Sequence, residues 1–198
     1  PLFPPRRSSD LKLVEHEVLF FTDGNLYGYN DTARNRFIEL CTAMAEERKK
    51  GSFKFTSWMA YVPTGILEDN EALHWADLAG CRNLMVGFES INPESLVEAN
   101  KGTNLHRVKR YKELIENAHK HHMIVMAEII IGFDNDDMKT LALTSKFVSD
   151  ANLDSLRIHI LQPLPGTDLF DKLKNEGRLY MANFPEDWDR SRDFALSI

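Results

Sequence analysis

The stretch LMVGFES, residues 84–90, is an apolar run that ends in a carboxylate and a hydroxyl. Successive side chains of a strand point to opposite faces of its sheet. Leu84, Val86 and Phe88 are therefore predicted to pack against helices, because a helix-covered parallel sheet needs an apolar face there. Glu89 falls on the opposite face, at the carboxyl end of the strand, where (β/α) barrels carry their sites.

Similar apolar runs recur along the chain, with helical patterns between them. The strand candidates are residues 18–22, 53–60, 84–89, 124–131 and 156–161. Apolar positions spaced near 3.6 predict helices over residues 31–50, 70–79, 104–118, 136–151 and 167–173, with Asn104 as the cap of the third. Alternating strands and helices predict a parallel sheet, either doubly wound or a (β/α) barrel.

The same alternation on every strand directs polar side chains toward one interior. In the first strand Val18 and Phe20 are assigned to the outer face. The inward set then comprises Asp23, Asn25, Glu89, Glu128, Arg157 and His159. A polar interior is costly unless it is wet, internally paired or filled by a ligand. A ligand cavity is the favoured interpretation of the set, and a buried ion-pair network of Arg157 with Glu128 or Glu89 is the alternative.

The composition is that of an ordinary globular domain. Of the 198 residues, 43% are hydrophobic and 27% are charged, and no apolar run approaches the roughly 20 residues of a membrane helix. The net charge of -6 argues against a general nucleic-acid-binding face. Cys41 and Cys81 give no disulfide framework, so a reducing cytoplasm is the predicted location.

Five blocks of the sequence together resemble the radical SAM superfamily, and in particular the subgroup whose members often follow a cobalamin-binding domain. The blocks are VLFFTDGNL (18–26), AGCRNLMVGFES (79–90), NKGTN (100–104), IIIGFDND (129–136) and LQPLPGTDLFDKLKNEGR (161–178). The resemblance implies an α/β fold, a partial (β/α) TIM-like barrel. It also implies S-adenosylmethionine and a [4Fe-4S] cluster as cofactors, with cobalamin as a further candidate, and radical chemistry on a small-molecule substrate.

The chain departs from the family at the cluster. Family members hold it with a Cys-x3-Cys-x2-Cys loop after the first strand, whereas this sequence has two cysteines, at positions 41 and 81. Iron–sulfur clusters need thiolate ligands. We therefore expect residues 16–178 to be the radical SAM barrel from its second strand onward, without the cluster loop and inactive in isolation. Residues 1–15 are predicted to be irregular, and residues 179–198 to be a C-terminal extension.

Matching the family's motifs assigns cofactor contacts to three strand ends. The assigned residues are Glu89, Ser90, Ile130, Gly132, Leu161, Gln162 and Pro163. Glu89 matches the acidic residue whose carboxylate accepts hydrogen bonds from ribose hydroxyls. Ile130 and Gly132 stand where the G-x-I-x-G motif of the family meets adenine, although Glu128 replaces its first glycine. The remaining inward residues are assigned to the substrate or the lumen: Asp23, Asn25, Glu128, Arg157 and His159.

Other interpretations stay open from the sequence. Ser90 can cap a helix, and Ile130 can be ordinary strand packing. The chain as a whole can be a metal-free barrel lyase or aldolase that uses Lys101 with Glu89 or Glu128. It can also be a non-catalytic fragment that forms a homo-oligomer through an uncovered edge strand. The histidine-rich run at residues 119–122 is interpreted as a helix end rather than a metal site.

Overall fold

The computed structural model describes residues 17–180, 183 and 185. The predicted irregular segment 1–15 and most of the predicted extension 179–198 lie outside these residues. The described residues fall into two compact units, divided between His159 and Ile160. Among the helices that the structure describes, none combines the length and the apolar character that crossing a bilayer requires.

Five strands form one sheet in which they follow their order in the sequence. They are β1 (Val18–Phe21), β2 (Ser57–Pro63), β3 (Cys81–Glu89), β4 (Ile124–Ile131) and β5 (Ser155–Ile160). The pairs β1–β2, β2–β3 and β3–β4 are parallel. Strands in sequential order are typical of a (β/α) barrel, since a doubly wound sheet reverses its strand order. The sheet curls into a half-barrel, which confirms the predicted partial TIM-like barrel.

Seven α-helices connect or follow these strands in the described residues. They are α1 (Asp31–Lys49), α2 (Asn70–Leu78), α3 (Pro93–Glu98), α4 (Gly102–Leu105), α5 (Tyr111–Lys120), α6 (Met138–Asp150) and α7 (Asp168–Asn175). Polar side chains start several of them, as N-cap chemistry predicts. Asn30 accepts a hydrogen bond from the Ala33 amide at the start of α1, and Asp137 accepts one from Thr140 at the start of α6. In the second unit, Thr167 caps α7 in the same way.

The core lies between the outer face of the sheet and the helices. Alternate residues of the three central strands are buried there: Trp58, Ala60, Val62, Leu84, Val86, Phe88, Val125, Ala127 and Ile129. The helices contribute Phe37, Cys41 and Met44 from α1, together with Tyr111, Leu114 and Ile115 from α5. This arrangement confirms the predicted phases of β3 and β4, and leaves their other face for the lumen.

The predicted phase of β1 is wrong. Phe21 is paired in register with Ala60, which is buried beneath the helices, and Phe20 is paired with Met59. The ring of Phe20 lies 5.6 Å from that of Tyr61, on the lumen side. Val18 therefore also faces the lumen. All four residues of this strand are apolar, so its sequence carries no alternation from which the buried face could be chosen.

Two further elements differ from their predictions. β2 begins at Ser57 instead of residue 53, and the stacked rings of Phe53 and Phe55, 4.7 Å apart, lie before the strand. The strand instead continues to Pro63 and places Tyr61 in the lumen. Asn104 does not cap the helix that follows it. It lies within the short helix α4 and is buried, and α5 begins only at Tyr111.

Candidate functional site

A cavity of about 230 Å³ opens at the carboxyl ends of the central strands. It is lined by Gly24, Asn25, Tyr29, Tyr61, Val62, Pro63, Met85, Gly87, Glu89, Lys101, Thr103, Asn104, Glu128, Ile130 and His159. The sequence had assigned five of these residues to a site: Asn25, Glu89, Glu128, Ile130 and His159. Their convergence follows from the parallel sheet, which gathers the carboxyl ends of its strands at one edge.

Glu89 occupies the last position of β3 in an unusual backbone conformation. Its φ of 64° lies in the left-handed region, which few non-glycine residues adopt. The pairing of β3 with β4 is irregular at the same place, since Gly87 is paired with Glu128 and Glu89 with Ile129. Such backbone strain is concentrated at functional sites in proteins. The irregularity turns the Glu89 carboxylate back over the strand.

Gly87 and Lys101 both affect where the Glu89 carboxylate lies. A Cβ atom at Gly87 would lie 2.7 Å from Glu89 Oε1, so the absence of a side chain at position 87 makes room for the carboxylate. On its other side, Lys101 Nζ lies 2.8 Å from the same oxygen. Burial alone would lower the pKa of the Lys101 ammonium, but the contact with Glu89 outweighs burial and raises it. The Glu89 side chain is only 13% exposed.

Asn104 fixes the backbone that precedes Glu89. Its side-chain amide donates hydrogen bonds to the carbonyl oxygens of Gly87 at 2.9 Å and Phe88 at 3.0 Å. Its own oxygen accepts one from the Thr64 hydroxyl at 2.8 Å. The Tyr111 hydroxyl also donates to the Phe88 carbonyl, at 3.2 Å. The end of β3 is therefore tied to α4, to α5 and to the turn after β2 by buried polar groups. Sequence reasoning missed this role of Asn104, although the block NKGTN contains it.

The opposite wall of the cavity carries a second charged cluster. His159 Nε2 lies 2.5 Å from Glu128 Oε2, and Arg157 Nη1 lies 3.1 Å from Glu128 Oε1. The same guanidinium donates a hydrogen bond to the Tyr61 hydroxyl at 3.2 Å. The predicted ion pair between Arg157 and Glu128 is thus present. Contact with the Tyr61 hydroxyl and the charge of Glu128 raise the pKa of Arg157, which keeps it a cation.

Glu128 Oε1 is buried and accepts no hydrogen bond from the described residues, but the guanidinium of Arg157 lies 3.1 Å from it as an ion-pair partner. Ile130, two residues along β4, places an apolar side chain in the same cavity. The wall formed by β4 therefore offers an apolar surface beside the paired carboxylate of Glu128.

The other assigned residues lie elsewhere. Ser90 is buried and its hydroxyl oxygen accepts a hydrogen bond from the Asn92 amide, just before α3. Gly132 has a left-handed φ of 99° and its amide donates to Asp136. Asp23 and Arg157 are not among the residues that line the cavity. Cofactor or substrate contacts by these residues stay predictions.

Leu161, Gln162 and Pro163 belong to the second compact unit, in the loop between β5 and α7. The loop contains a turn in which the Leu164 amide donates to the Gln162 carbonyl oxygen, at 3.0 Å. The Thr167 hydroxyl donates to the Leu164 carbonyl oxygen, at 2.6 Å. These bonds give the PLPGT sequence an ordered local structure. Its predicted cofactor contacts stay predictions.

A second cavity, of about 370 Å³, is lined by charged side chains that include Arg34 of α1 and Asp69, the N-cap of α2. Asp69 accepts hydrogen bonds from Arg34 Nε at 2.5 Å, the Tyr27 hydroxyl at 2.8 Å and the Ala72 amide at 3.1 Å. Burial alone would raise the pKa of the Asp69 carboxyl, but these three donors outweigh burial and lower it. Because Asp69 is paired with Arg34 and Tyr27, we expect this cluster to stabilise the fold rather than to bind a ligand.

The residues that the structure describes do not fit an iron–sulfur cluster. They include no group of three or more histidine, cysteine, aspartate or glutamate side chains that could hold a metal ion. Cys41 and Cys81 are both buried in the core as free thiols, and burial raises the pKa of each. Two of the three histidines of the run at 119–122 pair with acids, since His119 contacts Asp154 and His122 contacts Asp77.

The sequence is similar to those of two enzymes with different reactions. It is 32% identical over 154 residues to the bacteriochlorophyllide d C-12(1)-methyltransferase of Chlorobaculum tepidum, covering 78% of this chain and 30% of that protein. It is 28% identical over 172 residues to the anaerobic magnesium-protoporphyrin IX monomethyl ester cyclase of Rubrivivax gelatinosus, covering 86% of this chain and 29% of that protein. The chain thus spans about 30% of the length of these curated relatives. No family model matches it.

The fold is similar to that of a solved radical S-adenosylmethionine methyltransferase, TsrM from Kitasatospora setae, whose structure holds cobalamin and a [4Fe-4S] cluster. The TM-score is 0.72 at 14% sequence identity, and the match covers 85% of this chain and 33% of that one. The half-barrel, the sequence relatives and the motif blocks at the strand ends agree with one another. In its motif blocks and in its fold, the chain resembles the radical SAM superfamily.

Proposed function

We propose that this chain is the S-adenosylmethionine-binding portion of a radical SAM enzyme. The observation that carries the proposal is the placement of Glu89, a nearly buried carboxylate at the carboxyl end of β3 that faces a cavity. A carboxylate in this position can accept hydrogen bonds from both hydroxyls of a ribose. Ile130, on the wall of the same cavity, offers an apolar surface that suits the flat adenine ring.

Further contacts to the cofactor are proposed for Ser90, Gly132 and the loop at residues 161–163. We assign the substrate to the side of the lumen that carries Glu128 and His159, with Asp23, Asn25 and Arg157 as further candidates. Glu128 and His159 both line the cavity, which supports a polar group of the substrate on this side. The substrate is proposed to be a small molecule.

The [4Fe-4S] cluster of the whole enzyme is proposed to be held by cysteines outside this sequence, since the 198 residues contain two cysteines and both are buried. Such a cluster, when reduced, supplies the electron that cleaves S-adenosylmethionine in the family. The contribution of this chain is then to bind and orient the nucleoside part of the cofactor. Cobalamin stays a prediction for the whole protein, supported by its presence in the structure of TsrM.

The alternative of a lyase or aldolase is not favoured. Such an enzyme needs a neutral amine as its nucleophile, which a lysine obtains when its pKa is lowered. The pKa of Lys101 is raised instead, because Glu89 stabilises its charge. Formation of a homo-oligomer through an edge strand and a cytoplasmic location both stay predictions; β1 and β5 are the two edges of the sheet.

The proposal is tested on the whole protein that contains this chain, reconstituted with iron and sulfide without oxygen. With dithionite as the reductant, the protein should convert S-adenosylmethionine to 5′-deoxyadenosine, detected by mass spectrometry. Glu89→Gln should reduce this conversion, whereas the exposed-site variant Lys146→Gln should not. The 198-residue chain alone should give no product. A whole protein that binds a cluster but forms no 5′-deoxyadenosine would refute the proposal.

A further inference from the structure

We infer that Lys101 is a positioning residue for Glu89: its ammonium holds one carboxylate oxygen so that the other faces the ligand. This inference rests on the proposed function, in which Glu89 accepts hydrogen bonds from the ribose of the cofactor. Lys101 Nζ contacts Glu89 Oε1 at 2.8 Å. We assign the other oxygen, Oε2, to the ligand, on the side of the cavity that Glu89 lines.

The backbone of Lys101 is fixed on both sides. Its amide donates to the Leu96 carbonyl oxygen at the end of α3, and its carbonyl oxygen accepts from the Asn104 amide, both at 2.9 Å. Asn104 in turn holds the carbonyls of Gly87 and Phe88. The turn from Lys101 to Asn104 therefore contacts the end of β3 twice, once through a side-chain amide on the backbone and once through an ammonium on the carboxylate.

The electrostatic surroundings make the cation necessary. The Glu89 side chain is 13% exposed and carries its charge on a strained backbone. A carboxylate removed from water is destabilised unless a cation or several donors accompany it. Without Lys101 the carboxylate would regain hydration by turning toward solvent. It would then leave the position in which both ribose hydroxyls reach it. Lys101 is 38% exposed, so its own solvation is only partly lost.

A different role for Lys101 is a direct contact with a carboxylate or phosphate of a ligand. The two roles differ in what they require of Glu89. A lysine that acts through Glu89 has no effect once Glu89 is neutral, and no effect on a ligand without ribose hydroxyls. A lysine that binds an anionic group of the ligand keeps its effect in both cases. Adenosine, which has hydroxyls and no anionic group, separates them.

The experiment measures the binding of adenosine and of 2′,3′-dideoxyadenosine to the full 198-residue chain by saturation-transfer NMR. Glu89→Gln should weaken adenosine binding about tenfold, as expected for a lost charged hydrogen-bond acceptor. Lys101→Met should weaken it roughly fivefold, in the range of couplings between contacting residues. The double variant should bind no more weakly than Glu89→Gln alone. Binding of dideoxyadenosine should be the same in all four proteins.

Two controls accompany these variants. Lys101→Arg keeps a cation beside Glu89 and should restore most of the lost affinity. Lys146→Met removes the same charge from an exposed pair with Asp150 and should change nothing. Circular dichroism at the temperature of the binding measurement shows that each variant is folded.

The outcomes separate the inference from the proposed function. The inference is overturned if Lys101→Met leaves adenosine binding unchanged while Glu89→Gln weakens it, or if the two substitutions weaken binding additively. It is also overturned if Lys101→Met weakens adenosine and dideoxyadenosine equally. The proposed role of Glu89 itself fails if Glu89→Gln binds adenosine as the wild type does, or if the wild type shows no saturable binding of adenosine.

Discussion

Glu128 accepts the Nε2–H of His159 across 2.5 Å, and this contact joins β4 to β5 on the lumen side of the sheet. Arg157 lies beside the other oxygen of the same carboxylate, at 3.1 Å. One acidic residue thus holds two basic side chains that alternate with outward-facing residues of β5. Since Glu128 is the shared partner, its loss should disturb the lumen more than the loss of either basic residue.

We expect Glu128→Gln to lower the free energy of unfolding by about 1 kcal/mol, a value reduced by the solvent exposure of its partners. His159→Asn should have a smaller effect, because Glu128 retains Arg157. Urea denaturation followed by circular dichroism measures both. Lys146→Gln, in an exposed helical pair, serves as the control. An equal or larger loss for His159→Asn would show that Glu128 is not the centre of the cluster.

Asn104→Ala should be among the more destabilising single changes at the site. It removes the donor to two backbone carbonyls and the acceptor of the Thr64 hydroxyl; the contacts with Phe88 and Thr64 are buried, and the contact with Gly87 is partly buried. Buried groups left without partners cost about 1–3 kcal/mol each, so a loss of about 3 kcal/mol is expected. The carbonyl oxygen of Phe88 keeps the Tyr111 hydroxyl, which limits the damage.

Thr64→Val is the matched comparison, because it removes one hydrogen bond to Asn104 and leaves both backbone contacts in place. Its cost should be about 1 kcal/mol. Unfolding in urea would distinguish the two variants. If the two substitutions destabilised the chain equally, the contacts of Asn104 with the end of β3 would contribute nothing to the free energy of unfolding beyond the bond to Thr64.

The sequence predicted the strands best where an apolar run was long and bounded. Residues 124–131 were predicted as a strand, and β4 has those bounds, because eight residues with one interruption by Glu128 leave little choice. The alternation of side chains along the strands then predicted that Glu128 and His159 face the same interior, although it predicts no distance between them. The buried face of β1 was predicted wrongly because its four apolar residues carry no alternation. The start of β2 was predicted too early, at Phe53, whose ring stacks on that of Phe55 before the strand.

The parts of the site that the sequence could not provide depend on geometry between distant elements. Asn104 looked like a helix cap, because polar residues before apolar periodic stretches usually are. Its contact with Gly87 joins residues 17 positions apart. Tyr61 was missed because β2 was predicted to end before it. The left-handed φ of Glu89 has no signal in the residue type, since glycine or asparagine is the usual occupant of that region.

The Arg34–Asp69 pair should make stability depend on pH in the acidic range. The pKa of Asp69 is lower in the folded chain than its ordinary value, so the ionised form is favoured by folding. The stabilisation is therefore fully present above the unfolded pKa of about 3.9 and is lost as pH falls through the folded value. Asp69→Asn should cost about 2 kcal/mol at pH 7.

The measurement is urea unfolding of the wild type and Asp69→Asn at a series of pH values. The difference between the two proteins should be constant from neutral pH down to about 5 and should shrink below about 4. Asp150→Asn, in an exposed pair, is the control and should change stability little. A difference that grew on acidification would mean that the carboxylate is destabilised by folding, contrary to its contacts with Arg34 and Tyr27.

Gly87→Ala should separate ligand binding from stability. The new Cβ would lie 2.7 Å from Glu89 Oε1, which is too close, and the atom that must yield is the end of a flexible side chain. The backbone at position 87 has no positive φ, so alanine fits the strand itself. The carboxylate should therefore be displaced, with a loss of about tenfold in adenosine affinity and little change in the urea midpoint.

Gly65→Ala provides the matched control, since a Cβ there meets the Arg107 guanidinium only at 3.7 Å, an ordinary contact. It should alter neither adenosine binding nor stability appreciably. Binding is measured by the same NMR titration, and unfolding by urea. If Gly87→Ala unfolds the chain, the glycine is required by the packing of the strand and not by the Glu89 carboxylate. Should it bind adenosine normally, the ligand would not depend on the position that Glu89 occupies in this structure.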